Sequence, residues 1–464
     1  MVPRPTTMNR VQVCLLSSLV LCIGACLPSL NIPGVKRLTA PKPDPDQVEF
    51  REKHCSTGSG HSQPREGTPL HDVHFGKKCG RRGLTSCELG LDAVVGKLPP
   101  DYTDALADLV RAKPSESGSP RFTYEVCDIN TTVRPYTLGI DGIGLSRSSK
   151  HQPLLVDFVR DYGGLNFNDD STQRRLARAL FLSGKSSAAE AALRTMLELE
   201  PEARTYRPEV LKYLATWGAA SAVDYCMDTL RSGKGPKEAC IWYLGEMRHA
   251  EAHDLVVRRM EDEREAAARA LGHLGDAHAV PVLEALLEKS KNPPLRTVSL
   301  VALINLGKSD LFAELERQLR GRILLSSGSE SSRPKVDIME RAMLETLELH
   351  DPELRRRAFD YVESLGAPDE NVSNGWRVPV VLAGVRAMNG DREAVEALAG
   401  MLDDPQKKVR HLVVELIGGD FERLTGTRVA ERSLFDPLAR AYEMEPDASA
   451  KREIVLAAAY LGAD

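Results

Sequence analysis

Cysteines are the residues whose type and spacing point most directly to chemistry in this sequence. The chain of 464 residues contains nine of them. Three lie near the N-terminus, and an even set of six follows, namely Cys55, Cys79, Cys87, Cys127, Cys226 and Cys240. In an exported chain an even set predicts disulfides, because compartments outside the cytoplasm oxidise thiols. The first four of these six allow three pairings, and the sequence leaves the choice open.

Cys226 and Cys240 lie in two predicted helices on either side of a turn centred on Gly233. Both are about seven residues from that turn, and equal distance from a turn means equal height across an antiparallel helix pair. A disulfide between them is therefore geometrically plausible. Two buried free thiols are the alternative, since unpaired cysteines are common in protein cores.

The N-terminus contains a predicted export signal. Arg4 and Arg10 precede an apolar run, 11–25, that is too short to span a bilayer comfortably and ends in small residues. The end of the run, Ile23-Gly24-Ala25-Cys26, resembles the bacterial lipobox, which implies lipidation of Cys26 after cleavage. Leu27 is not the aspartate that retains such lipoproteins in the inner membrane, so the resemblance implies the outer membrane, facing the periplasm. An ordinary signal peptide or an uncleaved anchor is the alternative.

Other groups of residues give weaker signals. Four histidines between residues 54 and 74 lie near two cysteines, but their spacing matches no zinc pattern, so we predict a linker without a metal. Catalytic elbows, Walker loops and zincin motifs are absent from the sequence. Charged helix positions such as Glu265 and Arg269 indicate a solvated, salt-bridged surface, as do the basic runs 355–357 and 407–408. The net charge of −5 and the 5% of aromatic residues give no reason to expect nucleic acid.

The region before residue 170 divides into a tether and a small module. Residues 26–70 are rich in Pro, Gly, Ser and charge, which predicts a disordered tether. Residues 71–160 predict a small α+β module with disulfides, in which 89–98 and 102–110 are helices and 121–127 and 133–145 are strands. We interpret Gly139, Gly142 and Gly144 as a turn at a strand edge rather than a phosphate loop.

A repeated helical hairpin dominates the rest of the sequence. One copy occupies residues 262–287 and the next 294–319, with apolar residues at helical spacing in both. Gly275 and Gly307 follow the first helix of each copy, where glycine tolerates a left-handed cap, and Asp276 can cap the next helix. Such repetition predicts an α-α solenoid over residues 170–464, with a last helix, 450–461, that lacks a partner and acts as a cap.

These hairpins resemble the HEAT family, particularly the short units also found in bilin lyases. The best matches are Asp404-Pro405, Val409-Arg410 and Gly419-Asp420, and the first hairpin, 176–201, also resembles a tetratricopeptide unit. The resemblance implies a scaffold that binds a protein partner. The predicted fold is therefore mostly α, a solenoid of HEAT-like hairpins preceded by the small cysteine-containing module and the tether.

The sequence thus predicts a lipoprotein without enzymatic activity or cofactor. Residues 1–25 would be the signal peptide, and the concave face of the solenoid would bind another envelope protein. The alternative is an envelope enzyme whose site lies in the N-terminal module, built from His71, His74 or Asp141, with the solenoid orienting the substrate. A bilin lyase activity is only a family analogy, since an exported protein would not meet that substrate.

Overall fold

The computed structural model describes residues 55–58, 61–64, 94, 100–111, 125–126, 129–130, 135–162, 170–199, 206–325, 336–365, 375–418 and 429–462. All of them belong to one compact unit, 49–464. They form twenty α-helices, five short 3-10 helices and two pairs of short antiparallel strands. Among these described helices, none is long and apolar enough to cross a membrane. Cys26, the signal and most of the tether lie outside the described residues.

In the described part before residue 170, most residues with regular structure are helical, although the strands are more numerous than the helices. In the first strand pair Cys55 faces Pro64 and Gly58 faces His61. The elements in chain order are β1 (Cys55–Gly58), β2 (His61–Pro64), α1 (Pro100–Arg111), β3 (Glu125–Val126), β4 (Ile129–Asn130), α2 (Pro135–Leu145) and α3 (Gln152–Tyr162).

The predicted α+β module is not supported. The segment 133–145, predicted as a strand, is helical from Pro135 to Leu145. Its glycines explain the difference, because they permit close helix contacts: a Cβ on Gly139 would meet the backbone of Leu106 in α1 at 2.5 Å, and one on Gly144 would meet Ala179 at 2.6 Å. Glycine lowers helix propensity, and tertiary packing overrides that preference here.

From residue 170 onward the helices follow one another in antiparallel pairs. The first and second helices of each pair alternate along the chain, ending with one additional first helix. In order they are α4 (Asp170–Leu182), α5 (Ser187–Glu198), α6 (Arg207–Thr216), α7 (Val223–Ser232), α8 (Lys237–Glu246), α9 (His253–Arg258), α10 (Arg264–Leu274), α11 (Val280–Lys289), α12 (Pro293–Asn305), α13 (Phe312–Leu325), α14 (Val336–Thr346), α15 (Pro352–Ser364), α16 (Arg377–Met388), α17 (Arg392–Met401), α18 (Lys407–Gly418), α19 (Phe435–Met444) and α20 (Ala448–Leu461).

The turn inside each central pair has the same construction. Gly275 and Gly307 have φ of 73° and 95°, as predicted for left-handed residues after a first helix. Asp276 then accepts a hydrogen bond from the backbone N–H of His278 at 2.9 Å, which begins a short 3-10 helix before α11. Arg248 takes the equivalent left-handed position after α8, with φ of 48°. A residue with a side chain costs about 1 kcal/mol or more in this conformation.

The first helices form an inner layer in which neighbours touch backbone to backbone. A Cβ on Gly245 in α8 would lie 2.9 Å from Cα of Ala270 in α10, and one on Gly272 in α10 would lie 2.7 Å from Cα of Ala302 in α12. The helix α12 is consequently buried along almost its whole length, from Leu295 to Ile304. The second helices pack on the outside of this layer, and α11 has only one fully buried residue, Leu283.

The last helix packs against the first helices of the same unit. Arg147, just after α2, donates hydrogen bonds to the carbonyls of Gly462 and of Ala459, the latter at 2.8 Å. The hydroxyl of Tyr460 lies 3.1 Å from that of Tyr213 in α6. In the described residues α20 thus has no second helix after it, and its C-terminal part also contacts Arg147 and Tyr213 near the start of the unit.

Replacing Gly272 with alanine should destabilise the protein, because the new methyl group has no space against Ala302. We expect a loss of about 1–3 kcal/mol in the free energy of unfolding, the usual cost of overpacking. Gly400→Ala is the matched control, since Gly400 also lies in a helix and nothing would contact its Cβ within 4 Å. This control should gain about 0.5–1 kcal/mol from helix propensity. Urea unfolding of both variants measures the difference, and equal stability of the two would contradict the close helix contact.

Candidate functional site

A group of charged residues connects the inner helices α8, α10 and α14. Helical spacing places Glu265, Arg269 and His273 on one face of α10. Each of the three contacts a residue in or just after α14: Arg341 donates to Glu265 at 2.5 Å, Arg269 lies 2.5 Å from Glu348, and the ring of His273 meets that of His350 edge to face with centroids 5.1 Å apart. We call Glu246, Arg269, His273, Glu345, Glu348 and His350 the central polar cluster.

The remaining contacts of this cluster reach the helices on both sides. Glu345 in α14 accepts hydrogen bonds from Arg322 in α13 and from Arg341. The side chains of Glu345 and Arg322 are 4% and 6% exposed, so this ion pair is almost fully buried. On the other side, Glu246 at the end of α8 lies 3.3 Å from His273. Four helices are therefore joined through polar and charged side chains.

Burial changes the protonation of the acidic members. Burial raises the pKa of Glu348 to about 7, although the adjacent Arg269 favours the ionised form. Burial also raises the pKa of Glu345 and of Glu246. For Arg269 burial opposes the charge, but the attraction of Glu348 outweighs it and raises the pKa of the guanidinium. The arginine therefore keeps its charge, and Glu348 can exchange a proton near neutral pH.

The two imidazoles are neutral at neutral pH. Burial lowers the pKa of His273 to about 4, and the nearby His350, Arg269 and Arg248 lower it further. Burial, with Arg248 and Arg355 nearby, also lowers the pKa of His350. The Nε2 atom of His273 is buried without a hydrogen-bond partner. Arg248 thus contributes positive charge to this region from its left-handed backbone position.

Perturbed pKa values of this kind occur both at catalytic sites and in structural ion-pair networks. Two observations favour the structural role. Arginines bind Glu345 and Glu348 directly. Within the described residues, neither imidazole is hydrogen-bonded to a serine, threonine or cysteine that could act as a nucleophile. The cluster therefore connects repeats and can hold or release protons, but it lacks the arrangement of an activated nucleophile.

Sequence reasoning missed this cluster. Glu265 and Arg269 were expected on a solvated surface, but each bonds a residue of the neighbouring α14 region. The available signal was the spacing of Glu265, Arg269 and His273, which form a polar stripe on a helix otherwise rich in alanine. A stripe of this kind predicts a face, but it does not identify the distant residues that meet it.

The structure brings the two predicted cysteines together. Cys226 in α7 and Cys240 in α8 are both fully buried and lie in hydrogen-bonding contact, which fits the predicted equal height. Both are free thiols, so the disulfide is not formed and the alternative of two buried thiols describes this structure. Burial, together with the contact with Cys240, raises the pKa of the Cys226 thiol well above its usual value. A thiol in such surroundings is a poor nucleophile.

Other predicted sites are dispersed or paired. The structure does not describe the side chains of several predicted site residues, namely Cys55, His71, His74, Cys79, Cys87 and Cys127. Asp141 is described, and it is bound by Arg175 and Arg178. Each arginine of the basic run 355–357 has a partner within the chain. Arg355 donates a hydrogen bond to the carbonyl of Leu349. Arg356 forms an ion pair with Glu353, and Arg357 forms one with Glu316. In the part of the chain that the structure describes, no group of three His, Cys, Asp or Glu residues could hold a metal ion.

An acidic cleft of about 380 Å³ lies where α8, α10 and α12 begin. Its lining includes Glu238, Glu261, Asp262, Glu263 and Glu265. Carboxylates are favoured at helix N-termini because the helix dipole is positive there. Lys237 also lies 3.5 Å from Glu263. The acidic character of this cleft is therefore explained by the helix ends.

Residues 234–304 match the family model of HEAT repeats. The matched part covers α8 to almost the end of α12, where the inner helices make their closest contacts. Together with the paired helices, this match supports a HEAT-like helical repeat protein. A search of curated proteins found no match.

We expect His273→Gln to weaken the pH dependence of stability. Because the folded-state pKa of His273 is about 4 and the usual value is 6.5, the unfolded chain binds the proton more readily. Acidification from about pH 6.5 to about pH 4 should therefore destabilise the wild type through this residue, by up to roughly 3 kcal/mol. Urea unfolding across this pH range measures the effect. His278→Gln, at an exposed position, should unfold like the wild type, and an identical pH dependence in all three proteins would contradict the burial of His273.

Proposed function

We propose that this protein is a non-enzymatic HEAT-like scaffold of the bacterial cell envelope that binds a partner protein. In this proposal Cys26 carries a lipid anchor in the outer membrane, and the helical unit faces the periplasm. The observation that carries the scaffold role is the match of residues 234–304 to HEAT repeats on a set of helical hairpins with repeated turn geometry. Proteins built this way present extended surfaces to partners.

The inner layer is a poor candidate for the binding surface. The sequence predicted the partner on the concave face, but α12 is buried along its length and the ion pair between Arg269 and Glu348 joins α10 to α14. In the described central repeats, this side thus offers no continuous apolar stripe to a partner.

The outer layer fits a partner better, in the groove between α9 and α11. Leu283 is the buried residue of α11, and Glu284 beside it lies 3.3 Å from Lys308 of the following repeat. The opposite flank of α11, with Val282 and Leu286, therefore faces α9. By the same repeat geometry Val257 lies on the flank of α9 that faces α11.

These three side chains, which we call the outer groove, are only partly buried. Each of them packs against the core from a second helix and keeps part of its surface accessible. Binding of an apolar segment there would remove their remaining accessible surface from water, which is favourable. The outer groove also lies inside the segment that matches HEAT repeats. We therefore propose it as the place where an apolar helix or strand of the partner binds.

The double substitution Val282→Glu and Leu286→Glu should weaken partner binding at least about tenfold, because a buried aliphatic side chain contributes about 1.5–3 kcal/mol. The partner would first be identified by a photo-crosslinking amino acid at position 282 in cells. Its affinity for the purified wild type and variant would then be measured by titration. Met444→Glu is the control, since Met444 is a large apolar residue that is 56% exposed on α19. Equal affinity of all three proteins would contradict the proposed surface.

Cys26→Ser should release the protein from the membrane fraction, because serine cannot form the thioether to the lipid. Metabolic labelling with palmitate and fractionation of the envelope measure the change. The wild type should be labelled and sediment with membranes, whereas the variant should be unlabelled. Cys22→Ser is the matched control in the same apolar run and should behave like the wild type. A labelled Cys26→Ser variant would contradict the anchor without affecting the scaffold proposal.

A further inference from the structure

A second group of polar side chains in the inner layer lies where α2, α4 and α20 come together. Arg175 and Arg178 are one turn apart on α4, and both donate to Asp141 of α2. Arg178 reaches one carboxylate oxygen at 3.2 Å, and Arg175 bonds the other. The side chain of Asp141 is only 2% exposed. One buried carboxylate is therefore shared by two guanidinium groups.

A third arginine approaches this pair from α20. Positions 452, 456 and 460 share one face of that helix. Tyr460 lies against α6 and α4, with its hydroxyl 3.1 Å from Tyr213 and its ring centroid 6.3 Å from that of Phe181. Arg452 lies on this same face and is therefore directed towards α4. There its guanidinium is close enough to Arg178 and Asp141 to interact with them electrostatically. We call Arg175, Arg178 and Arg452 the arginine cluster.

The carboxylates near Arg452 contact other side chains. Asp141 bonds Arg175 and Arg178, and Glu453, the neighbour of Arg452 in sequence, lies 2.6 Å from His411 instead. In the part of the chain that the structure describes, Arg452 forms no ion pair, and its Nε atom is buried without a hydrogen-bond partner. Burying an unpaired polar or charged group is costly.

The titration of these groups agrees with the geometry. Burial lowers the pKa of Arg452, repulsion from Arg178 and Arg175 lowers it further, and attraction to Asp141 and Glu453 offsets part of this. For Arg178, burial opposes the charge, but Asp141 outweighs it and raises the pKa of the guanidinium. In the central polar cluster every arginine has a partner: Arg269, Arg322 and Arg341 each pair with a carboxylate.

We propose that the arginine cluster is a binding site for an oxyanion, a phosphate or carboxylate group, held between Arg178 and Arg452. Guanidinium groups bind such anions through two parallel hydrogen bonds, and a second arginine adds charge without competing for the same oxygens. The side chains of Arg175 and Arg178 are 21% and 18% exposed, so a small anion has access to them. The bound anion would connect α4 to α20 and strengthen the contact between the two ends of the unit. This inference does not depend on the outer groove or on the lipid anchor.

The test is anion-dependent stability of the purified full-length chain. Melting temperature and calorimetric binding would be measured with inorganic phosphate, sulfate and acetate, with chloride at equal ionic strength as the reference. We expect phosphate to bind and raise the melting temperature of the wild type, and a stronger response to acetate than to phosphate would identify a carboxylate ligand. Arg452→Gln should lower the affinity about tenfold or more, since a hydrogen bond to a charged group contributes about 1.5–3 kcal/mol.

Two further variants separate binding from folding. Arg452→Lys keeps the charge and should retain part of the response, whereas Arg231→Gln, at an exposed arginine of α7, should respond like the wild type. In chloride alone Arg452→Gln should melt at about the wild-type temperature or above it, because Arg452 forms no ion pair among the described residues whose loss would destabilise the fold. Hydrogen exchange of α20 should slow when phosphate binds to the wild type. Absence of any anion response in the wild type, or an equal response in Arg452→Gln, would overturn the proposal.

Discussion

The close contact between successive first helices determines the rest of this structure. Gly245 against Ala270 and Gly272 against Ala302 bring neighbouring backbones closer than larger side chains would permit. Dispersion forces stabilise such contacts only when the two helix surfaces fit together without voids. The inner helices are therefore packed tightly, and the second helices, which cover the outside, are spread apart. On these second helices Val257, Val282 and Leu286 are only partly buried.

Tight packing also explains why charged side chains in the inner layer have such unusual properties. Glu348 and His273 are both held away from water, which favours the neutral form of each and moves their pKa values in opposite directions. Arginines compensate the buried carboxylates of the central polar cluster, so breaking one pair would leave an uncompensated charge. In the arginine cluster, which lies in the same layer, Asp141 is bound by Arg175 and Arg178, whereas Arg452 forms no ion pair within the described residues. The two groups thus differ in how their arginines are paired.

The contact between α20 and the helices near the start of the unit distinguishes this protein from an open repeat array. In an open repeat array each unit contacts only its neighbours, and stability is a sum of local terms. Here Tyr460 and Arg147 add contacts between distant parts of the sequence. The stability of this unit therefore includes contributions between residues that are distant in sequence, in addition to the contacts between neighbouring repeats.

Local interactions determined what the sequence alone revealed. Helical periodicity, the glycines at positions 275 and 307 and the cap at Asp276 depend only on residues close in sequence, and they located the helical hairpins well. The helix at 135–145 was misinterpreted because its glycines, which suggest a turn or strand edge, serve contacts with α1 and α4. Only the tertiary structure decided that Arg269 meets Glu348, that Cys226 and Cys240 are free neighbouring thiols, and that α20 contacts Tyr213. These contacts join distant residues, and no periodic pattern in a single sequence records which distant side chain will be the partner.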